Sequence, residues 1–440
     1  MDGSAFHAHA RFVLPSQGRE HLRKPMLRVA YLLSHPIQYQ SPLLRLLARQ
    51  PGLDLTVFYT SDFSLRSYRD RGFGVPVEWD VPLLGGYRHQ FLPRLLDSDN
   101  ISFFRPLNRG IFRRLRAGRF DVLWIHGYAT LNSWIAMAAA RLLGIPVLLR
   151  TDSTLIDHPR GPLKLALKYI FFRVLRRFTY GVLSVGQRNT EYWRHHLGQD
   201  IPVFPIPYAV DNAFFQDRCR AASTTREQLR QELQLEPNRP ILLFASKLLP
   251  RKRCIDLVEA YLELVARYRS ATPSRPLPYL LIVGDGEERP HIEARLQSAT
   301  PADREGIRLL GFRNQSELPC YYDLCDAFVL PSIHEPWGLV VNEAMNAARA
   351  IIVSDQVGCQ PDLVVDGGNG CVFPAQNVSA LASALERVLA DPAASRIMGE
   401  RSLERIQAFS FDANVRGLMQ AFAAAAEHRK SSKPAPSPAQ

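Results

Sequence analysis

LPSIHEPWGLVVNEAMNAARAIIVSD, residues 330–355, decides how the rest of this chain is read. It opens on the end of an apolar strand and a Pro. It then sets Glu335, Pro336, Trp337 and Gly338 ahead of a second carboxylate, Glu343. From Val340 the apolar positions Val341, Ala344, Met345 and Ala348 recur at three and four, which predicts a helix. A second apolar strand, 350–353, ends at Ser354-Asp355. Strand, acid-bearing loop, helix and strand in this order form an α/β unit. A loop after a strand and before a helix lies at the carboxyl edge of a sheet, where ligands bind. The free N–H groups and the positive dipole end of that helix, at about 338–341, suit an anion.

Outward from this stretch the same alternation recurs. Upstream, strands are predicted at 27–33, 53–59, 121–125, 145–150, 181–185 and 203–206, separated by helical patterns and by a long irregular section, 60–104. It restarts at 241–245 after a polar connector, 216–239, and continues through strands 279–283, 307–310, 326–330 and 371–373. This predicts an α/β protein with two doubly wound, Rossmann-like parallel sheets facing across a cleft. At 440 residues the chain is also too long for one ordinary core. The expected divisions are a flexible leader at 1–25, a first domain at 26–210, a linker at 211–240 and a second domain at 241–410. A return helix at 411–428 and a disordered Ser/Pro/Ala tail at 429–440 complete the chain.

Three features carry chemistry. Glu335 and Glu343 flank Gly338, which lets backbone approach a ligand closely. A glutamate one turn into the helix suits the paired hydroxyls of a ribose, while a capped helix with solvated acids fits the same spacing. Lys247, Arg251, Lys252 and Arg253 follow strand 241–245 at the same sheet edge. A polyphosphate needs such cations, although a four-cation cluster is also the mark of a solvated loop. Gly284-Asp285-Gly286 and Gly311-Phe312-Arg313 end two further strands. They wall a base pocket or are simply turns; the dinucleotide fingerprint fails, since position 289 is Arg.

Taken as an ordered series, these residues resemble glycosyltransferase family 4, the group 1 enzymes of GT-B fold. The series is Lys247-x4-Lys252, Val283-Gly284-Asp285-Gly286, Gly311-Phe312, Pro331-Ser332-x-x-Glu335-Pro336-x-Gly338-Leu339-Val340-x-x-Glu343-Ala344, Ser354-Asp355-x-x-Gly358 and Asp366-Gly367-x-Asn369-Gly370. The resemblance implies a metal-independent, retaining, hexosyltransferase-type enzyme with a nucleotide-sugar, UDP- or GDP-linked, as co-substrate and no other cofactor. It places the donor diphosphate on Lys247 and Lys252, the donor sugar at Glu335 and the ribose at Glu343. Gly284, Gly311, Phe312, Gly338, Leu339 and Val340 would complete the donor site. It sets His126, at a strand end beside Gly127, against the donor sugar. Asn189, Tyr192 and Tyr208 to Asp211 match a pattern that packs near the linker. Three departures stand out: Lys247 where many members carry Arg, Arg253 where many carry Gly, and a bulky His35-to-Tyr39 loop where many are Gly-rich. His35, Gln38 and Asp152 are the expected acceptor-side residues, Asp152 orienting a hydroxyl or capping the following turn. Asp97-Ser98-Asp99 copies the metal triplet of the other major glycosyltransferase fold but follows no strand, and no metal is expected.

The formal charge of +12 is unevenly placed. Residues 1–220 hold 30 Lys and Arg against 16 acids, and the second half is slightly acidic. Two runs, 105–119 and 163–177, suit an anionic membrane surface, where each basic residue contributes about 1 kcal/mol. An ordinary core-facing helix with a solvated basic face fits equally. No nucleic-acid-reading motif accompanies the charge. Six cysteines lack zinc spacing and read as reduced thiols of a cytoplasmic protein. No stretch is long and apolar enough to span a bilayer.

The expected activity is sugar transfer from a nucleotide diphosphate donor to a glycan or lipid-linked acceptor in cell-surface polysaccharide or glycolipid synthesis. A sugar-nucleotide epimerase or phosphorylase of the same fold would use the same donor half. A non-catalytic, membrane-associated nucleotide-sugar-binding protein is the reading from another class.

Overall fold

A computed structural model describes residues 26–70, 72–98, 100–156, 161–271 and 275–431. The leader at 1–25, the tail beyond 431 and Asp99 of the acidic triplet lie outside the described residues.

Among the described residues the first sheet has seven parallel strands. Their spatial order is Val203–Pro205, Gly181–Ser184, Val147–Arg150, Val122–His126, Leu27–Leu33, Leu53–Tyr59 and Arg88–Phe91. The first strand of the chain lies inside the sheet, with Val29 opposite both Leu55 and Val122. The chain therefore winds out to one side, returns, and winds out to the other. Its direction reverses between 27–33 and 122–126, and the loops leaving those strands diverge to leave a crevice.

The second sheet repeats the plan with six parallel strands: Ile307–Gly311, Tyr279–Val283, Ile241–Ala245, Ala327–Leu330, Ala350–Ser354 and Gly370–Phe373. Its reversal falls between 241–245 and 327–330. Helices cover both faces of the sheet, so its inner strands are buried along their whole length and read as unbroken apolar runs.

Two local expectations are revised. The stretch 216–239, read as a polar connector, carries helix Arg226–Glu232 and most of helix Asn212–Ala222. Phe215 enters the second core, and Arg226 grips Asp323 with two hydrogen bonds of 2.6 and 2.8 Å. Its apolar residues are too sparse to show a helical period. Arg88–Phe91, inside the section read as irregular, adds an edge strand beside 53–59. Its sequence RHQF has no apolar run because an edge strand is only half-buried.

Helix Phe411–Ser431 then crosses back from the second half to the first. Leu418, Phe422 and Ala425 are fully buried against Val29, Tyr31 and Trp124. The chain thus passes between halves twice, and its C-terminal helix completes the core of the N-terminal sheet. Phe422, whose ring centre lies 5.9 Å from that of Trp124, tests this dependence. Phe422→Ala is expected to lower stability by about 3–5 kcal/mol, measured by denaturant unfolding. The loss should appear in probes of the first half before those of the second.

Candidate active site

The carboxyl edges of the two sheets face each other. In the second half, the turn Pro250–Lys252 and the loop after Leu330 meet at the sheet's point of reversal. Lys252 Nζ donates to Glu335 Oε2, and Arg251 Nη1 lies 3.6 Å from the same oxygen. Both Lys252 and Glu335 are buried. Burial pulls the Lys252 ammonium below its ordinary pKa, although the Glu335 charge and hydrogen bond oppose the shift. Three residues on, Gly338 sits at φ +96°, a left-handed conformation that favours glycine, and starts helix Leu339–Asn346.

Beside this pair lies a cavity of about 260 Å³. Lys247, Lys252, Gly284, Phe312 and Val340 line it, so it gathers most of the residues expected on the donor side. The other members support the wall. Gly311 accepts a 2.8 Å hydrogen bond from Gly284 N–H, and Leu339 packs on the second core. Gly284, at φ +142°, allows its turn to reach the neighbouring loop; a Cβ there would fall 1.9 Å from the Ser246 carbonyl oxygen. Gln38, expected on the acceptor side, lines this cavity instead, because the first loop of the N-terminal half leans across the cleft.

Glu343 is fully buried. Its Oε1 accepts from the Tyr39 hydroxyl at 2.7 Å and its Oε2 from the Tyr322 hydroxyl at 2.6 Å. Tyr39, from the other half, thus occupies one oxygen of the carboxyl that was expected to face a ribose. Burial raises the Glu343 pKa to about 7, against the lowering effect of both hydroxyls.

The first half supplies the opposite wall. His126 ends its strand with Nδ1 3.1 Å from the Tyr31 hydroxyl. Burial lowers its pKa to about 3, with the Arg150 charge adding to the effect, so the imidazole is neutral. His35 lies against Phe63 at 4.5 Å, its Nδ1 2.9 Å from Ser34 Oγ, and burial lowers it to about 4. Burial raises the Asp152 carboxyl above its ordinary value, and the Glu335 charge across the cleft adds to this. Asp152 lines a second cavity, about 560 Å³, with Tyr128 and Phe171 of its own half and His334 and Pro336 of the other. The next helix begins at Pro162, so Asp152 caps none. Asn189 donates to the Ser153 carbonyl at 2.7 Å and fixes the Asp152 loop.

Several residues escaped the sequence reading. Arg150 ends strand Val147–Arg150 almost wholly buried, its guanidinium 5.0 Å from the Tyr208 ring centre and its Nη2 on the Ile206 carbonyl at 3.3 Å. An apolar strand ending in Arg was the available signal. Tyr39 and Tyr322 gave none, since their meeting with Glu343 is tertiary. Asp97 is exposed and pairs with Arg94 at 2.8 Å. Among the described residues no group of three or more His, Cys, Asp or Glu could hold a metal ion, and all six cysteines are free.

With this geometry in place, the comparisons with known proteins fit it half by half. The family described as Glycosyl transferase 4-like domain matches residues 36–209, and that described as Glycosyl transferases group 1 matches 225–405. The chain belongs to the group 1, family 4-like glycosyltransferases and has the GT-B fold. It is similar to alpha-D-kanosaminyltransferase of Streptomyces kanamyceticus, 31% identical over 60% of this chain and 66% of that protein. It is also similar to UDP-Gal:alpha-D-GlcNAc-diphosphoundecaprenol alpha-1,3-galactosyltransferase of Escherichia coli, 25% identical over 68% of this chain and 74% of that protein. Among solved structures, Anabaena HepE in complex with UDP and glucose superposes with a TM-score of 0.64 at 15% identity, covering 90% of this chain and 100% of that one. That last likeness is one of fold.

Glu343 yields a pH prediction. In the unfolded chain its carboxyl titrates near 4.5; in the fold it holds its proton to about 7. Folding therefore binds a proton between these values, and stability falls as pH rises through the window, then levels off. With each unit worth about 1.4 kcal/mol, the effect is on the order of 3 kcal/mol. Thermal denaturation from pH 4.5 to 8 should show this decline in the wild type and its loss in Glu343→Gln.

Proposed function

We propose that this chain transfers a sugar, with retention and without a bound metal, from a nucleotide diphosphate-sugar to a hydroxyl of a glycan or lipid-linked acceptor. One observation carries the reading. The buried Lys252–Glu335 pair of one half faces Asp152 across the cleft, beside a cavity lined by Lys247 and Lys252. Cations next to a carboxylate suit a reaction in which negative charge leaves on a diphosphate while positive charge grows on a sugar carbon.

In the reaction the bond from the anomeric carbon to the diphosphate oxygen breaks, and a bond to the acceptor oxygen forms on the same face. The acceptor proton passes to the departing diphosphate. Lys247, Lys252 and the N–H groups at 338–341 offset the leaving charge. Glu335, held by Lys252, positions the sugar and offsets positive charge at the anomeric carbon without bonding to it. Neutral His126 contributes a hydrogen bond rather than a charge, and Asp152 orients the acceptor hydroxyl.

The likeness to the E. coli galactosyltransferase, which uses UDP-Gal and a diphosphoundecaprenol-linked acceptor, supports a UDP-sugar donor and a lipid-linked acceptor; a place in surface polysaccharide or glycolipid synthesis is part of the same proposal. Helix Pro162–Arg176 supports peripheral contact with the inner face of a membrane. It exposes Leu163, Leu167 and Ile170 near Lys164 and Arg173. Among the described residues, no helix is long and apolar enough to cross one.

Glu335→Gln should lower turnover by at least about 100-fold, the scale of losing one charge-stabilising group in a site, while nucleotide affinity by calorimetry stays near wild type. Unchanged turnover overturns the role of Glu335. Labelled donor incubated without acceptor should give slow hydrolysis at most; conversion to a different sugar nucleotide would identify an epimerase instead.

A further inference from the structure

The donor cavity has a wall that belongs to the opposite half. Residues 68–70 and 72–80 leave the first sheet as a small hairpin, Tyr68–Arg69 paired with Pro76–Val77, and lie over the mouth of the second. One end is pinned to the donor half by Asn314, whose Nδ2 donates to the Glu78 carbonyl at 2.6 Å, and by Ser316 N–H on Asp80 at 3.2 Å. Toward the other end, both Asp70 oxygens take Lys247 Nζ, at 2.7 and 2.9 Å. Between these ties Phe73 and Trp79 enter the cavity. The Phe73 ring centre lies 4.7 Å from Lys247 Nζ and 4.7 Å from the Phe312 ring centre, at 71° to that ring.

Two chemistries meet here. Phe73, Trp79 and Phe312 offer faces and edges to a flat ring, and base–aromatic contact tolerates any base because every base has a π-face. Lys247 and Lys252 offer charge to phosphate. The ammonium of Lys247, however, already holds a carboxylate. Asp70 is also held by the Gly72 and Phe73 N–H groups, at 2.8 and 3.0 Å, so its loop keeps its shape without the lysine. A phosphate arriving at Lys247 meets a like charge at contact distance and must displace it.

We propose that the segment 68–80 is a donor-responsive wall. Asp70 occupies Lys247 until a nucleotide's phosphate takes its place, and Phe73 and Trp79 then face the base opposite Phe312. This rests on the reading that the donor carries a nucleoside diphosphate. Burial raises the Asp70 carboxyl, but the hydrogen bond and charge of Lys247 outweigh it and leave the group below its ordinary value, in keeping with an anion standing in for another. A purely structural tie between the halves would make a different prediction, because removing its charge would loosen the cavity.

The test is calorimetric titration of the full chain with inorganic pyrophosphate, UDP and GDP at low ionic strength. Asp70→Asn should bind pyrophosphate about 5-fold tighter, as expected when one like charge is removed from contact range, with the gain shrinking at high salt. Phe73→Ala should weaken the preferred nucleoside diphosphate about 10-fold, the scale of one lost base contact. Its pyrophosphate affinity should match wild type, and Phe73→Leu, which keeps bulk, should fall between. The proposal is overturned if Asp70→Asn binds pyrophosphate no better than wild type. It is also overturned if Phe73→Ala leaves nucleoside diphosphate binding unchanged, or weakens pyrophosphate and nucleotide alike. Wild-type protein that binds pyrophosphate but neither nucleotide removes the nucleotide-donor reading itself, and the wall's role with it.

Discussion

Holding a carboxylate and an ammonium together out of water costs several kcal/mol per ion before their attraction offsets it. The Lys252–Glu335 pair meets that cost at the point where the second sheet reverses direction. Strand 241–245 delivers the lysine through the loop 246–252, whose last three residues form a tight turn, and the adjacent strand 327–330 delivers the glutamate. Because these strands are neighbours, the pair forms without any contribution from the first half. A buried pair of this kind is weak evidence of stability. It suits chemistry better: a preset charge arrangement needs no reorganisation when a sugar–phosphate bond breaks.

The first half answers with an almost opposite electrostatic strategy. It carries the net positive charge of the chain, yet the cleft groups it contributes include two neutral histidines, His35 and His126, an aspartate, Asp152, whose carboxyl burial raises, and one buried arginine, Arg150. Part of the basic surplus sits on exposed positions of helices Ile111–Gly118 and Pro162–Arg176. In the proposed reaction the acceptor hydroxyl is uncharged, and a wall receiving it would need hydrogen-bonding groups in fixed places rather than charge. Two cations of helix Pro162–Arg176, Lys164 and Lys168, line the cavity that holds Asp152.

Much of this was legible in the sequence because parallel strands buried on both faces announce themselves as apolar runs. Strands 27–33, 53–59 and 279–283 carry the bounds that the sequence reading gave them. The gathering of Lys247, Lys252, Gly284, Phe312 and Val340 around one cavity was legible because one half supplies them within about a hundred positions. Arg88–Phe91 and the helices of 212–232 were not, since an edge strand and a thinly apolar helix leave little periodicity. Contacts across the cleft were illegible for a plainer reason. Tyr39 reaches Glu343 over 304 residues and Asp70 reaches Lys247 over 177, and no local pattern encodes which loops of two separately wound sheets will meet.

Those cross-cleft contacts also separate the two acids of the stretch 330–355. Glu335 and Glu343 lie eight residues apart, and both are buried. One faces an ammonium and the other faces two phenols, so the first has a partner that matches its charge and the second has partners that match only its hydrogen-bonding capacity. A phenol stabilises a carboxylate less than an ammonium does, which is why burial raises Glu343 so far while both tyrosines oppose it. Its charge therefore depends on what stands at the Tyr39 position. A ligand with two hydroxyls in that place would offer a second donor where Tyr39 offers one. By linkage it would favour the ionised carboxylate and drive off the proton that the unliganded fold retains.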